Sequence, residues 1–185
     1  MPTPPKTSRE QLIGIALSIV EAEGAAALTI AAVAEQAGVK GPSLYKHFAD
    51  RAALITAVEV AILHDLEAVL RRDTKGRSPK QRLRSIAAVY RNFARTSPHR
   101  YGLLYRPDAA DDPDIEAACR FSASPLFEEL EAAGVPARDI LPLSRTLVGF
   151  LHGFVSMEIA KAFRLGGSID EAFEASLDTL LARVR

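Results

Sequence analysis

Apolar residues recur along this chain at intervals of three and four, and no window alternates apolar and polar positions as a strand would. Ser8 precedes Leu12, Ile13, Ala16, Leu17 and Val20, an amphipathic stripe that stops at Gly24. Thr29 caps a short helix from Ile30 to Ala37 that ends at Gly38, and another short helix runs from Gly41 to Phe48. Asp50 caps a long helix in which Leu54, Val58, Ile62, Leu66, Val69 and Leu70 share one face, with Thr74 to Pro79 as its breaker-rich end. Ser78-Pro79 opens the next helix, with Leu83, Ile86, Ala87, Tyr90 and Phe93 inward, and Ser97-Pro98 starts a short one holding Tyr101, Leu104 and Tyr105. Asp111-Asp112-Pro113 opens another, interrupted near Pro125 and closed by Gly134. Pro136 leads to a long apolar segment from Leu141 to Leu165. After Gly166-Gly167, Ser168 caps a last helix with Phe173, Leu177, Leu180, Leu181 and Val184 on one stripe. The pattern predicts an all-α protein of about nine helices.

A length of 185 residues allows roughly one domain, or a small one joined to a larger, with a core big enough to need no disulfide or metal staple. Hydrophobic residues at 48% and charged residues at 25% exclude a disordered or collagen-like chain. Lys plus Arg and Asp plus Glu each number 23, so no overall charge announces nucleic acid, membrane or acidic substrate. The layout is uneven, however. Between Arg71 and Arg106 stand eleven Lys and Arg against Asp73 alone, while Pro107 to Arg145 holds nine acids and three bases. That asymmetry fits either two helices with complementary faces or an electropositive mouth for an acidic ligand. A lone Cys119 excludes an internal disulfide framework and fits a reducing cytoplasm. The longest charge-free apolar run, Thr146 to Met157, is too short to cross a bilayer, and Met1-Pro-Thr-Pro-Pro lacks the apolar stretch of a secretion signal. A cytoplasmic protein without a membrane partner is expected.

The sharpest local signal is Thr29 to Phe48. Val33, Ala34 and Ala37 form an inner face, Gly38 permits a tight turn that Val39 plugs, and Leu44 and Phe48 return to the core. This is helix-turn-helix spacing, in which the second helix enters the major groove of DNA. At 100° per residue, Pro42, Ser43, Tyr45 and Lys46 point outward and offer donors to phosphates and base edges. Pro42 suits a first helical turn, and Gly41 lets the backbone approach a partner closely. Each residue alone also fits a plainer role: Thr29 as an N-cap, Tyr45 and His47 closing a three-helix core, Lys46 as a solvated lysine.

From Ser8 to Leu66 the chain resembles the tetracycline-repressor (TetR) family of bacterial transcription regulators. The resemblance rests on the first helix ending at Gly24, Leu28-Thr29, Val33-Ala34, Ala37-Gly38-Val39, Ser43-Leu44-Tyr45, His47-Phe48 and Leu54. It implies a DNA-binding domain over residues 1–50 and an effector-binding and dimerisation body over 51–185. It also implies that Thr29, Lys40, Gly41, Ser43, Tyr45, Lys46 and His47 face DNA, with Tyr45 and His47 on phosphates and Lys40 to Ser43 and Lys46 reading bases. The expected partners are a double-stranded DNA operator, a small-molecule effector and a second copy of the chain. The expected activity is repression.

In the body, His152-Gly153 is similar to one branch of the family whose penultimate helix carries a Trp…His-Gly signature, although Val148 stands at the Trp position and the chain has no Trp. The aromatics available to line an effector pocket are Tyr90, Phe93, Tyr101, Tyr105, Phe121, Phe127, Phe150 and Phe154, with Met157. Gly149 and Gly153, four apart on one helix, suggest close helix approach, and with Phe173, Leu177 and Leu180 they are the candidate dimer interface. No enzyme is expected. There is no Walker loop and no dinucleotide fingerprint, the histidines at 47, 64, 99 and 152 lack metal spacing, and Cys119 has no histidine near it in sequence. No cofactor, metal or catalytic residue is therefore assigned. The alternatives are a helical protein-interaction module or a small-molecule carrier whose front helices do not bind DNA.

Overall fold

A computed structural model of the chain describes residues 7–106, 112–182 and 184. Among them all regular structure is helical: α1 (Arg9–Glu23), a 3-10 turn (Ala25–Ala27), α2 (Ile30–Gln36), α3 (Gly41–Leu44), α4 (Arg51–Asp73), α5 (Pro79–Thr96), α6 (Pro98–Tyr101), α7 (Pro113–Ser122), α8 (Ser124–Ala132), α9 (Ala137–Ile159) and α10 (Ile169–Leu180). The start Met1-Pro-Thr-Pro-Pro and Asp111 lie outside the described residues. Asp112 shows the capping expected there, its Oδ1 accepting from the Asp114 and Ile115 amides at 2.9 and 3.3 Å.

The interruption expected near Pro125 is present, while the long apolar helix differs from the sequence expectation at both ends. Ala123 turns the chain between α7 and α8, and α8 restarts with Pro125 in its first turn, where no N–H is needed. The long apolar helix begins at Ala137, ahead of Leu141, and runs on through Pro142, which has no amide to offer the turn before it. It ends at Ile159 and not Leu165, because Lys161 takes a left-handed φ of 52°. The amides of Lys161 and Ala162 then close back on the Glu158 and Met157 carbonyls at 3.0 and 2.8 Å. Val69 is half-buried, less than the other residues of its stripe.

The chain forms two compact units, and the boundary falls within α4 after His64. The first holds the described residues up to His64 together with Ser97–Cys119. There α6 packs on α1, with His99 Nδ1 3.0 Å from the Glu21 carbonyl. Arg106 Nε lies 3.2 Å from Glu59 Oε2, a carboxylate only 1% exposed on α4, and Thr56 donates to Asp112 at 3.4 Å one turn earlier. Burial and the nearby Glu59 charge both push the Cys119 thiol up, which makes it a poor nucleophile at neutral pH.

The second unit, Asp65–Thr96 and Arg120 onward, packs α5 against α8 and α9, and α9 against α10. Its core joins Leu83, Leu126, Leu130, Leu147, Leu181 and Val184. The uneven charge layout resolves here as helix-to-helix pairing. Arg82 meets Glu129 at 2.7 Å, Arg84 meets Glu174 at 2.7 Å and also Asp178, and Arg71 holds Glu128 at 2.8 Å and also Glu67. The Arg71 hydrogen bond holds the Glu128 carboxyl below the usual carboxylate range.

The tightest pairing is at Arg91, 8% exposed. Its guanidinium donates to both Glu158 oxygens at 2.8 and 2.6 Å and lies 2.7 Å from Asp170, so one side chain ties α5 to α9 and α10. The same planar group sits 4.6 Å above the Phe173 ring and 5.7 Å from that of Phe154. A lysine has neither the fork nor the flat face for this.

Two predictions follow from this packing. Arg91→Ala strands a mostly buried Glu158 and is expected to cost about 3 kcal/mol in urea unfolding, with Arg91→Met/Glu158→Gln recovering part of it. His152, half-buried on α9, has its pKa pushed below the ordinary 6.5 by burial, so the folded form prefers neutral imidazole. The unfolded chain takes up that proton first, so stability falls as pH drops below about 6.5, and the fall should be shallower in His152→Gln. Urea midpoints at about pH 7.5 and about pH 5.5 compare the two proteins.

Candidate nucleic-acid interface

The front of the first unit is built from helices too short to persist alone, seven residues in α2 and four in α3. Thr29 starts α2, its hydroxyl accepting from the Ala32 amide at 3.0 Å. Gly38, at φ 66°, ends it: its amide bonds the Glu35 carbonyl and the Val39 amide bonds that of Ala34, both at 3.0 Å. That is a Schellman closure, which requires a left-handed residue. α3 then starts at Gly41 with Pro42 in its first turn, and its regular helix stops at Leu44, four residues short of the predicted Phe48. The Phe48 amide still bonds the Leu44 carbonyl at 2.9 Å, so the chain keeps a helical turn through Tyr45, Lys46 and His47.

Leu44 and Phe48, 0% and 2% exposed, anchor this turn from beneath. Arg9 of α1 stacks its guanidinium 5.3 Å from the Phe48 ring centre. Arg51, the first residue of α4, donates to the Leu28 and Ala25 carbonyls at 2.7 and 3.1 Å and so fixes the entry to α2. Asp50 caps α4 through the Ala53 amide at 2.8 Å.

Of the predicted DNA-facing residues, Lys40, Pro42, Tyr45 and Lys46 are exposed, Tyr45 at 59%. Thr29, Gly41, Ser43 and His47 are half-buried. A Cβ placed on Gly41 meets nothing in the chain, so its own packing does not demand glycine there. Beside this surface runs a groove of about 840 Å³, walled by Gln11, Gly14 and Ser18 of α1 on one side and by Ser43, Lys46 and His47 on the other.

Sequence reasoning missed that groove, and it assigned no role to Arg51. The signal for Arg51 was its place directly after the Asp50 cap, within reach of a preceding helix–helix junction.

The description "Bacterial regulatory proteins, tetR family" matches residues 12–58, and "Tetracyclin repressor-like, C-terminal domain" matches residues 83–180, more than half of the chain. This chain belongs to the tetR family. It is accordingly a DNA-binding transcription regulator. A Mycobacterium tuberculosis relative, the uncharacterized HTH-type transcriptional regulator Rv0681, is 36% identical over 157 residues, which cover 84% of this chain and 72% of that one. Two solved structures share the fold. BioQ, known from Mycobacterium smegmatis, in its complex with a double-stranded DNA operator superimposes at a TM-score of 0.71 with 21% identity, covering 96% of this chain and 97% of that one. A TetR variant from Acinetobacter baumannii AYE in complex with minocycline superimposes at 0.68 with 22% identity, covering 95% of each.

The residues expected to serve this tetR-family chain through its body scatter more widely. Tyr90, Phe93 and Tyr101 are buried, Phe127, Phe150 and Phe154 are half-buried, and Tyr105, Phe121 and Met157 are 42–44% exposed. Phe150 and Phe154 join Phe173 in one aromatic cluster, with ring centres 5.1–5.8 Å apart, on the Arg91 guanidinium. Phe173 and Leu177, each 1% exposed, are occupied within their own chain. Leu180 is half-buried, and Gly149 and Gly153 stand exposed on α9.

Gly38 gives the clearest test of how the turn after α2 is held. Gly38→Ala meets no atom within 4 Å, so its cost is conformational alone, about 1 kcal/mol in thermal unfolding. Gly38→Asn should cost less, because Asn tolerates the left-handed region.

Proposed function

We propose that this tetR-family protein is a cytoplasmic homodimeric repressor, released from a pseudo-palindromic DNA operator by a small molecule. The observation that carries the reading is the exposed set Lys40, Pro42, Tyr45 and Lys46 on a turn anchored by Leu44 and Phe48. Residues 1–50 form the reading part and 51–185 the body. Two reading turns, one per copy, enter successive major grooves about 34–36 Å apart. Thr29, Tyr45 and His47 hold phosphates and set register, while Lys40, Gly41, Pro42, Ser43 and Lys46 meet base edges. The protein acts by binding and not by catalysis.

Support for the dimer comes from α9. It is 23 residues long and largely apolar, yet Ser144, Leu147, Leu151 and Val155 are its buried residues. Arg138, Asp139, Arg145 and Glu158 interrupt it, and what remains is an apolar face that a second copy would cover. The effector reading draws on the aromatic residues of the second unit, Tyr90, Phe93, Phe150 and Phe154. The lever is α4, a single helix shared by both units. A coupling of about 1–3 kcal/mol between effector and operator suffices for control.

Selection of genomic DNA fragments by the purified protein tests the reading. A two-fold-symmetric site should be enriched by the parent and lost in Tyr45→Ala/Lys46→Ala with the fold retained; equal enrichment by both would sink it. Lys46→Ala alone should weaken the operator complex by about 1–3 kcal/mol and relax preference at one base pair. A uniform loss with the salt slope reduced by about 1 would move Lys46 to a phosphate.

A further inference from the structure

The groove of about 840 Å³ between α1 and α3 shares Ser43, Lys46 and His47 with the exposed turn, so it continues the surface assigned to DNA. Leu12 and Leu44, both buried, and Ile15 and Val39, both half-buried, give it an apolar floor. Exposed Gln11 and Lys46 and half-buried Ser43 and His47 supply hydrogen-bond donors above that floor. Among the described residues no carboxylate lines it, in a chain that carries 23 acids. An apolar floor under a rim of donors matches a sugar-phosphate strand, whose sugar carbons are apolar and whose phosphates only accept.

The α1 wall carries two features that suit such a neighbour. Gln11 closes the capping box of α1, its Oε1 accepting from the Ser8 amide at 2.9 Å. The side chain is thereby fixed and turns only its Nε2 donors outward. One turn on, Gly14 stands exposed inside the helix without a left-handed φ, and a Cβ there meets nothing within 4 Å. Alanine would hold the helix better, so nothing within the chain asks for glycine, whereas close approach of an outside backbone does.

The turn itself has two flanks. At about 100° per residue from the Leu44 anchor, Tyr45 falls on one side, and Ser43 and His47 fall on the side of the groove. A helix seated in the major groove of DNA has a phosphate strand along each flank. Gln11 to Ser18 spans about 10 Å of α1, and a strand carries one phosphate per about 3.4 Å of axis, so about three phosphates fit along it.

We propose that one DNA strand lies in the groove between α1 and α3, with phosphates on Gln11 Nε2 and His47 and sugar carbons over Ile15 and Val39, while Tyr45 holds the opposite strand. α1 is then a second wall of the interface as well as a support for α3. The proposal rests on the operator reading above and adds the strand assignment and the α1 contacts.

Two variants separate contact from folding. Gln11→Glu keeps the capping box, which a carboxylate closes equally well, and puts negative charge where the amide donors stood. Gly14→Gln raises helix propensity and fills the groove. The probe is the two-fold-symmetric duplex enriched by the parent, read by fluorescence anisotropy. Both variants should keep or raise the parent's thermal midpoint and bind about tenfold more weakly or worse, as like charge or lost access at a phosphate demands. Parent-like affinity in either variant overturns the proposal. Uncharged methylphosphonates, placed one at a time in one half-site, then locate the strands. The gap between parent and Gln11→Glu should close at a position on one strand, and the gap between parent and Tyr45→Phe at a position on the other. Closure of both gaps on the same strand would overturn the assignment. A parent that enriches no duplex would defeat the operator reading and the groove with it, whereas an enriched duplex bound equally by both variants would defeat the groove alone.

Discussion

The exposed turn that carries Tyr45 and Lys46 depends on apolar side chains that face away from it. A four-residue helix has no stability of its own. α3 exists because Leu44 and Phe48 are buried beneath it, each worth about 1.5–3 kcal/mol. Everything that positions Tyr45 and Lys46 follows from those two anchors. Gly38 sets the angle at which α3 leaves α2, and Arg51 ties the approach to α2 to the beginning of α4. The outward residues are then held with little support of their own, which leaves their chemistry free for a partner.

A different rule organises the second unit. Its arginines, concentrated on α4 and α5, meet carboxylates on α8, α9 and α10. Most of these pairs are partly exposed and contribute modestly. Arg91 is the exception, because both it and Glu158 are mostly buried and the rings of Phe154 and Phe173 lie against the guanidinium. Removing charge from one helix of this unit therefore disturbs another.

What the sequence made legible was local. Thr29, Asp50 and Ser168 act as N-caps because a cap needs only a side-chain oxygen and the next turn, and Gly38 turns because only its own backbone is involved. The helical class and the front motif were readable for the same reason. Contacts distant in sequence were not: Arg51 to Leu28, Arg91 to Glu158 and Arg106 to Glu59 look like isolated charges until folding brings them together. Helix ends fixed by a non-glycine left-handed residue were equally hidden, since nothing about Lys161 marks it as a stop. The body aromatics show a further limit, because helical periodicity marks Phe150, Phe154 and Phe173 as inward without saying which neighbour each will meet.

The pairing of arginines within the second unit bears on how the protein searches a chromosome. Non-specific affinity for DNA comes from free cations that displace counterions along the phosphate chain. Here much of the basic content is neutralised inside the fold, and the whole chain carries equal numbers of positive and negative residues. Cations held in such pairs are not available to displace counterions, so the sequence-independent part of the affinity for DNA draws on the remaining ones. The balance between holding any DNA and holding one sequence is thereby shifted toward the contacts that read bases.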